Sequence, residues 1–262
     1  MIRISLVLAL IALVFPPMAR AQEAPPLVTA PEPAATLPPA PSMRTPAAPA
    51  PVVLELFTSQ GCAFCPPADE LMGQMIKQPG IIGLACHVDY FSVRKNNLGK
   101  GFCTKRQNDY QRLIGRGPRY TPQLIVNGRA DMIGYEGGKI SAAILKARAQ
   151  KLSPITLTKS DSMEQGVYNV SFPALALNGA RAKLWLAVYD SPKRLAVTEG
   201  RNLGKTVTYY NVVSRLDDLG EWDGAAMVRG VNAYYAPENG GIAILAQDQQ
   251  TGNIIAAGQA LR

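Results

Sequence analysis

From residue 52 onward the hydrophobic and polar positions alternate between strand-like and helix-like spacing. Val52-Val53-Leu54-Glu55-Leu56-Phe57 is an apolar run with one acid, short enough for a buried strand. Turn residues interrupt it. Behind Asp69 and Glu70, residues Leu71, Met72, Met75 and Ile76 then share one stripe at helical spacing. Ile81 to Tyr90 reads as a second buried strand, in the style of a parallel sheet. Phe91 to Gly117 is polar and basic at first, then helical from about Phe102 to Ile114. It is longer than a connection requires, and we read it as an insertion carrying its own helix. Thr121-Pro122 precedes a short strand, Asn127-Gly128 is a hairpin signal, and Ala130 to Tyr135 returns as the partner strand. Gly137-Gly138 opens a third helix, with Ile140, Ile144, Ala147 and Leu152 near one stripe.

From Pro154 the pattern changes. Ile155 to Lys159, Val167 to Phe172, Ala182 to Tyr189, Lys205 to Val213, Ile242 to Gln247 and Ile254 to Ala260 are short β-rich runs. Asn178-Gly179, Asp190-Ser191-Pro192 and Glu238-Asn239-Gly240-Gly241 supply turns between them. No long helical period intervenes, which predicts an antiparallel β-sandwich domain over 153–262. Trp185, Trp222, Tyr209-Tyr210 and Tyr234-Tyr235 are expected in packing, with a ligand groove as the other reading. The loop carrying Arg194, Glu199, Arg201, Asn202 and Lys205 faces the dithiol, faces a partner, or is a solvated hairpin.

The segment before residue 52 carries no such periodicity. Arg3, the apolar run Ile4 to Phe15 and Ala19-Arg20-Ala21 have the form of a secretory signal peptide over 1–21. The apolar run is too short to span a bilayer, so no stable membrane span is expected after cleavage. Residues 22–51 hold ten of the chain's 21 prolines, with many alanines and little charge, and read as a disordered linker. Cleavage removes Arg3 and Arg20 and no acid, so the formal charge of +8 falls to +6. The composition, 47% hydrophobic and 18% charged, is that of a globular chain. The densest basic set (Arg94, Lys95, Lys100, Lys105, Arg106, Arg112, Arg116 and Arg119) is broken by glycines and asparagines. It reads as a solvated helix face and loop, and no nucleic-acid partner is expected.

Chemistry enters with the cysteines. Cys62 and Cys65 lie between the first strand and the first helix. A helix start offers unpaired N–H groups and the positive end of a dipole, which favour a thiolate. Cys62 is therefore the expected nucleophile and Cys65 the resolving thiol. Pro66 and Pro67 cost little in a first turn, where their missing N–H groups would have no partner. A static disulfide and a metal site are the other readings; the cysteine spacing lacks the second Cys-x-x-Cys of a zinc ribbon. Cys86 in the second strand and Cys103 at the start of the inserted helix are expected to pair, because the count is even and the destination oxidising. A relay to Cys62-Cys65 and two separate free thiols are the alternatives. His87, the chain's one histidine, is expected in the core rather than as a proton carrier or ligand.

The order of strand, Cys-x-x-Cys, helix, strand, helix, Thr-Pro strand, Asn-Gly hairpin and helix resembles the thioredoxin fold over 52–152. The resemblance implies that the Thr121-Pro122 bond is cis and sits against the dithiol. It also places Glu55 near the position where thioredoxins keep a buried acid, although Glu55 also reads as an ordinary sheet-end carboxylate. The stretches Glu55 to Asp69, His87-Val88-Asp89-Tyr90, Tyr120-Thr121-Pro122-Gln123, Glu199 to Gly204 and Tyr210 to Val213 together resemble a bacterial family of secreted thioredoxin-like proteins catalogued as a domain of unknown function. That family usually has Trp-Asp after Tyr90, where this chain has Phe91-Ser92.

The expected architecture is thus an α/β thioredoxin-like domain with an inserted helix, followed by an antiparallel β-sandwich domain. The expected protein is periplasmic or secreted. It exchanges disulfides with protein or small-molecule thiols and disulfides through Cys62 and Cys65, with Thr121, Pro122 and Glu55 around them. No cofactor is called for. The competing classes are a non-catalytic binding or assembly module with a structural disulfide, and a copper-handling protein.

Overall fold

The computed structural model describes residues 49–91, 97–115, 118–161, 166–234 and 236–262. The leader expected at 1–21, most of the linker expected at 22–51, and Ser92 after the family-like His87–Tyr90 stretch lie outside the described residues. The described residues form one compact unit.

The first half is built on a four-stranded sheet. Its strands are β1 (Val52–Thr58), β2 (Ile81–His87), β3 (Gln123–Val126) and β4 (Ala130–Ile133), in the order β2-β1-β3-β4. β1 and β2 run parallel, while β3 runs antiparallel to both β1 and β4. Helices α1 (Pro66–Met75), α2 (Gly101–Ile114) and α3 (Gly137–Ala149) fall where the helical stripes predict them. Every residue of β1 and β2 is buried, which explains their near-continuous apolar sequence.

Strand pleating assigns the two faces of β1. Val52, Leu54 and Leu56 pack with Met72 and Met75 of α1 and Ile140, Ile144 and Ala147 of α3. Val53 and Phe57 turn the other way, to Cys103 and Tyr110 of α2.

The second half contains β5 (Ser153–Pro154), β6 (Thr156–Lys159), β7 (Val167–Phe172), β8 (Ala182–Asp190), β9 (Lys193–Ala196), β10 (Thr206–Tyr209), β11 (Val213–Trp222), β12 (Met227–Asn232), β13 (Asn239–Asp248) and β14 (Ile254–Leu261). They form a five-stranded sheet β11-β8-β13-β14-β5, a three-stranded sheet β12-β7-β6 and the hairpin β9–β10. All their pairings are antiparallel except β14 with the short β5. Val170, Phe172 and Val231 of the smaller sheet share a core with Leu184, Leu186, Ile242 and Ile244 of the larger one.

The opposite face of the five-stranded sheet joins the two halves. Ala187, Tyr189, Ala243, Leu245 and Ala257 belong to the same apolar cluster as Val53, Phe57, Ile82 and Leu84. Beside this, Asn211 binds the edge of β2: its carbonyl accepts the Ala85 N–H at 2.9 Å, and its Nδ2 donates to the Gly83 carbonyl at 2.9 Å. Ala85 and Val212 form a parallel bridge there.

Candidate functional site

β1 ends at Thr58, and the chain turns through Ser59–Cys65 before α1 begins. The Cys62 N–H donates to the Ser59 carbonyl and the Cys65 N–H to the Cys62 carbonyl, both at 3.2 Å. Cys65 is the residue that caps α1, and Pro66 and Pro67 take its first turn. The Cys65 carbonyl accepts the N–H groups of Ala68 and Asp69, at 2.9 and 3.0 Å. Cys62 and Cys65 are both unbonded and both buried. Thr121-Pro122 is a cis peptide. Cys62 Sγ lies 3.6 Å from the Thr121 carbonyl oxygen, to which it donates when protonated, so this segment faces the dithiol.

The two thiols are driven in opposite directions. Hydrogen bonding from the Cys65 thiol lowers Cys62 to about 6, and Thr121 and the Phe64 and Cys65 backbone add to this against the opposing effect of burial. Burial pushes Cys65 up, and its hydrogen bond to Cys62 pushes it further. One thiol is thus a thiolate near neutrality, and the other holds its proton.

A buried polar group lies behind them. Asp69 is 3% exposed. Burial raises it well above the usual carboxylate range, and the charge of Cys62 adds to the shift. Thr58 lies beside both Cys65 and Asp69. Both ring nitrogens of His87 are buried without a direct partner. His87 packs edge-on against Tyr209, with centroids 5.1 Å apart, and burial lowers it to about 3. It is a neutral core histidine.

The second half supplies the cover. A single 3-10 turn at Gly200–Asn202, between β9 and β10, lies over the Gln60–Cys62 backbone. The Asn202 Nδ2 donates to the Gln60 carbonyl at 3.0 Å and to the Cys62 carbonyl at 2.7 Å. Beside the start of α1, a groove of about 620 Å³ opens between Pro66, Pro67 and Glu70 on one side and Lys205, Thr208 and Tyr210 on the other. Phe64, between the two cysteines, is 66% exposed.

The structure brings Cys62, Cys65, Thr121 and Pro122 together, but not Glu55. The Glu55 carboxylate is buried on the α2 side of β1, where it accepts from Arg106 Nε, from Arg106 Nη2 at 3.0 Å and from the Tyr110 hydroxyl. The buried acid that faces the thiols is Asp69. Arg106 also corrects the reading of the basic set as solvated. It is 5% exposed, and although burial opposes its charge, Glu55 raises it above its ordinary value. Lys105 and Arg112 on the same helix do reach solvent.

Cys86 and Cys103 are joined in a disulfide that ties α2 to β2. Among the described residues, no group of three or more His, Cys, Asp or Glu is placed to hold a metal ion, and no helix is long and apolar enough to cross a membrane.

Sequence spacing carried a signal for Asp69 that its composition hid. Asp69, Met72 and Ile76 are at i, i+3 and i+7, so the acid sits on the apolar stripe. No comparable signal marks Asn202, whose contacts are made across 140 residues of chain.

The chain matches the family described as "Protein of unknown function (DUF1223)" over residues 53–247. No curated protein matches it. Among solved structures it is similar to a structural-genomics crystal structure from Agrobacterium tumefaciens, with 30% identity and a TM-score of 0.67 over 80% of this chain and 93% of the other. It is also similar to HBP35 of Porphyromonas gingivalis, with a TM-score of 0.55 over 82% of this chain and 76% of that one. At 15% identity, that match speaks to fold alone.

Proposed function

The chain belongs to this family of unknown function, and from its own residues we propose that it is a thiol-disulfide oxidoreductase acting through Cys62 and Cys65. The observation that carries the reading is geometric: two unbonded thiols stand at the start of α1, with Cys62 Sγ 3.6 Å from the Thr121 carbonyl, and the lowering of Cys62 beside a raised Cys65 agrees with it.

In the reducing direction the Cys62 thiolate attacks one sulfur of a substrate disulfide. A Cys62–substrate S–S bond forms, the substrate S–S bond breaks, and one substrate thiolate leaves. Cys65 then gives up its proton to Asp69 in its ionised form and attacks Cys62 Sγ. The Cys62–Cys65 bond forms, the second substrate thiolate leaves, and two electrons have passed from protein to substrate. The oxidising direction is the reverse. Once it has lost its own proton to solvent, Asp69 is a strong acceptor, because burial favours its return to the neutral form.

We read the β2-β1-β3-β4 sheet with α1, α2 and α3 as thioredoxin-like. The strand order, the dithiol at the start of α1 and the facing Thr121-Pro122 support that reading. We place the reaction in the periplasm or outside the cell, supported by the leader read at 1–21 and by the Cys86–Cys103 disulfide. Its substrates are thiols or disulfides of proteins or small molecules.

The test is disulfide exchange with a glutathione couple, with Cys62→Ser as the control. Wild type should exchange and the variant should not, at unchanged fold. A Cys62–Cys65 potential below about −300 mV would instead make the pair a structural disulfide and overturn the reading.

A further inference from the structure

The geometry points to Asn202 as a positioning residue of the dithiol: its side-chain amide, carried by the C-terminal half, clamps the carbonyls of Gln60 and Cys62 and fixes where Cys62 Sγ stands before α1. This inference rests on the oxidoreductase reading and names a part of the device that lies outside the sheet bearing the cysteines.

The clamp is fully formed. Asn202 is 1% exposed. Its Nδ2 spends one hydrogen on the Gln60 carbonyl and the other on the Cys62 carbonyl. Its Oδ1 accepts from the Lys205 ammonium at 3.0 Å, and its own carbonyl accepts the Lys205 N–H at 3.0 Å. The amide can therefore sit one way round only, with both donors toward the dithiol turn. Gly200 allows the approach. Its φ is +75°, and a Cβ there would lie 3.3 Å from Gly61 Cα. Gln60 is held from a further side, where its Oε1 accepts the Leu98 N–H at 3.1 Å.

The clamp acts on the chemistry through the Cys62 carbonyl. That oxygen accepts both Asn202 Nδ2 and the Cys65 N–H, so it ties Cys62 to the residue that caps α1. The groups that stabilise the Cys62 thiolate are the Cys65 thiol, Thr121 and the Phe64 and Cys65 N–H groups, and all depend on where Sγ sits relative to that turn. Drawing donor hydrogens onto two carbonyls also reduces the negative potential they cast on a neighbouring thiolate. A residue that merely held the hairpin in place would leave the Cys62 titration alone.

The experiment follows thiolate ultraviolet absorbance against pH in reduced full-length protein, with glutathione exchange measured on the same samples. Asn202→Ala should move the Cys62 midpoint upward by about half a unit to one unit, or about threefold to tenfold in the thiolate-to-thiol ratio. Asn202→Asp removes both donors at constant shape and should move it at least as far. A folded Asn202→Ala protein with the wild-type midpoint overturns the inference. If Asn202→Ala does not fold, Asn202→Ser, which keeps a short polar side chain but cannot donate to both carbonyls, decides. A raised midpoint upholds the clamp and an unchanged one overturns it. Wild type with a low midpoint but no exchange would sink the oxidoreductase reading and leave the clamp standing.

Discussion

At the scale of single residues, the site is a set of protons held at different strengths. Hydrogen bonding, first from Cys65, lowers Cys62 in the folded protein from its ordinary value to about 6. Its stabilising contribution is therefore complete above the unfolded value and is lost as pH falls through about 6. Reduced wild type should gain stability relative to Cys62→Ser as pH rises through that window, read as the difference in urea midpoints. Alkylation of Cys62 should half-saturate at about pH 6. The cysteines were legible because their chemistry is written in a four-residue motif. The acid was not. β1 is buried along its whole length, so no alternation told which way Glu55 pointed. It faces Arg106 and Tyr110 on α2, while Asp69 reaches the thiols from a helix stripe that otherwise reads as plain core.

At the scale of elements, sequence legibility follows burial pattern. β7 runs Val167–Phe172 as expected, because one face is core and the other solvent and the alternation survives. β11 at Val213–Trp222 went unread beyond its first residue. It is an edge strand whose charged side chains meet solvent, one another, as in Arg215–Asp217, or the neighbouring strand β8, as in Lys183–Asp218. β12 is likewise an edge, and the expected strand over Lys205 to Val213 is interrupted after Tyr209 by Asn211 at φ +47°.

Between elements, the Glu55–Arg106 pair is the main buried charge joining β1 to α2. Arg106→Ala leaves the Glu55 carboxylate without its counter-charge and should cost about 3–5 kcal/mol of stability. Glu55→Met with Arg106→Leu should be far milder, because no unpaired charge stays behind. Denaturant titration of the single and double variants checks both.

At the scale of the molecule, the five-stranded sheet is covered on both faces, by the three-stranded sheet and by the sheet that bears the dithiol. The two halves expected at 52–152 and 153–262 therefore share a core, and the second reaches the thiols through Asn202. No local pattern announces a contact between residues 62 and 202, which is why the hairpin's role stayed open in the sequence.

The Cys86–Cys103 disulfide adds a constraint of another kind. Both residues lie within the apolar cluster, at 3% and 0% exposure. The bond spans 17 residues of sequence, and its removal as Cys86→Ala with Cys103→Ala should cost about 3 kcal/mol, read from thermal unfolding. Buried there, it is out of reach of a reagent meeting the finished protein. It has to be made while the chain is still open, when four free thiols permit three different ways of pairing. Closing the Cys86–Cys103 bond is therefore an event of folding, settled before Cys62 and Cys65 reach their places at the start of α1.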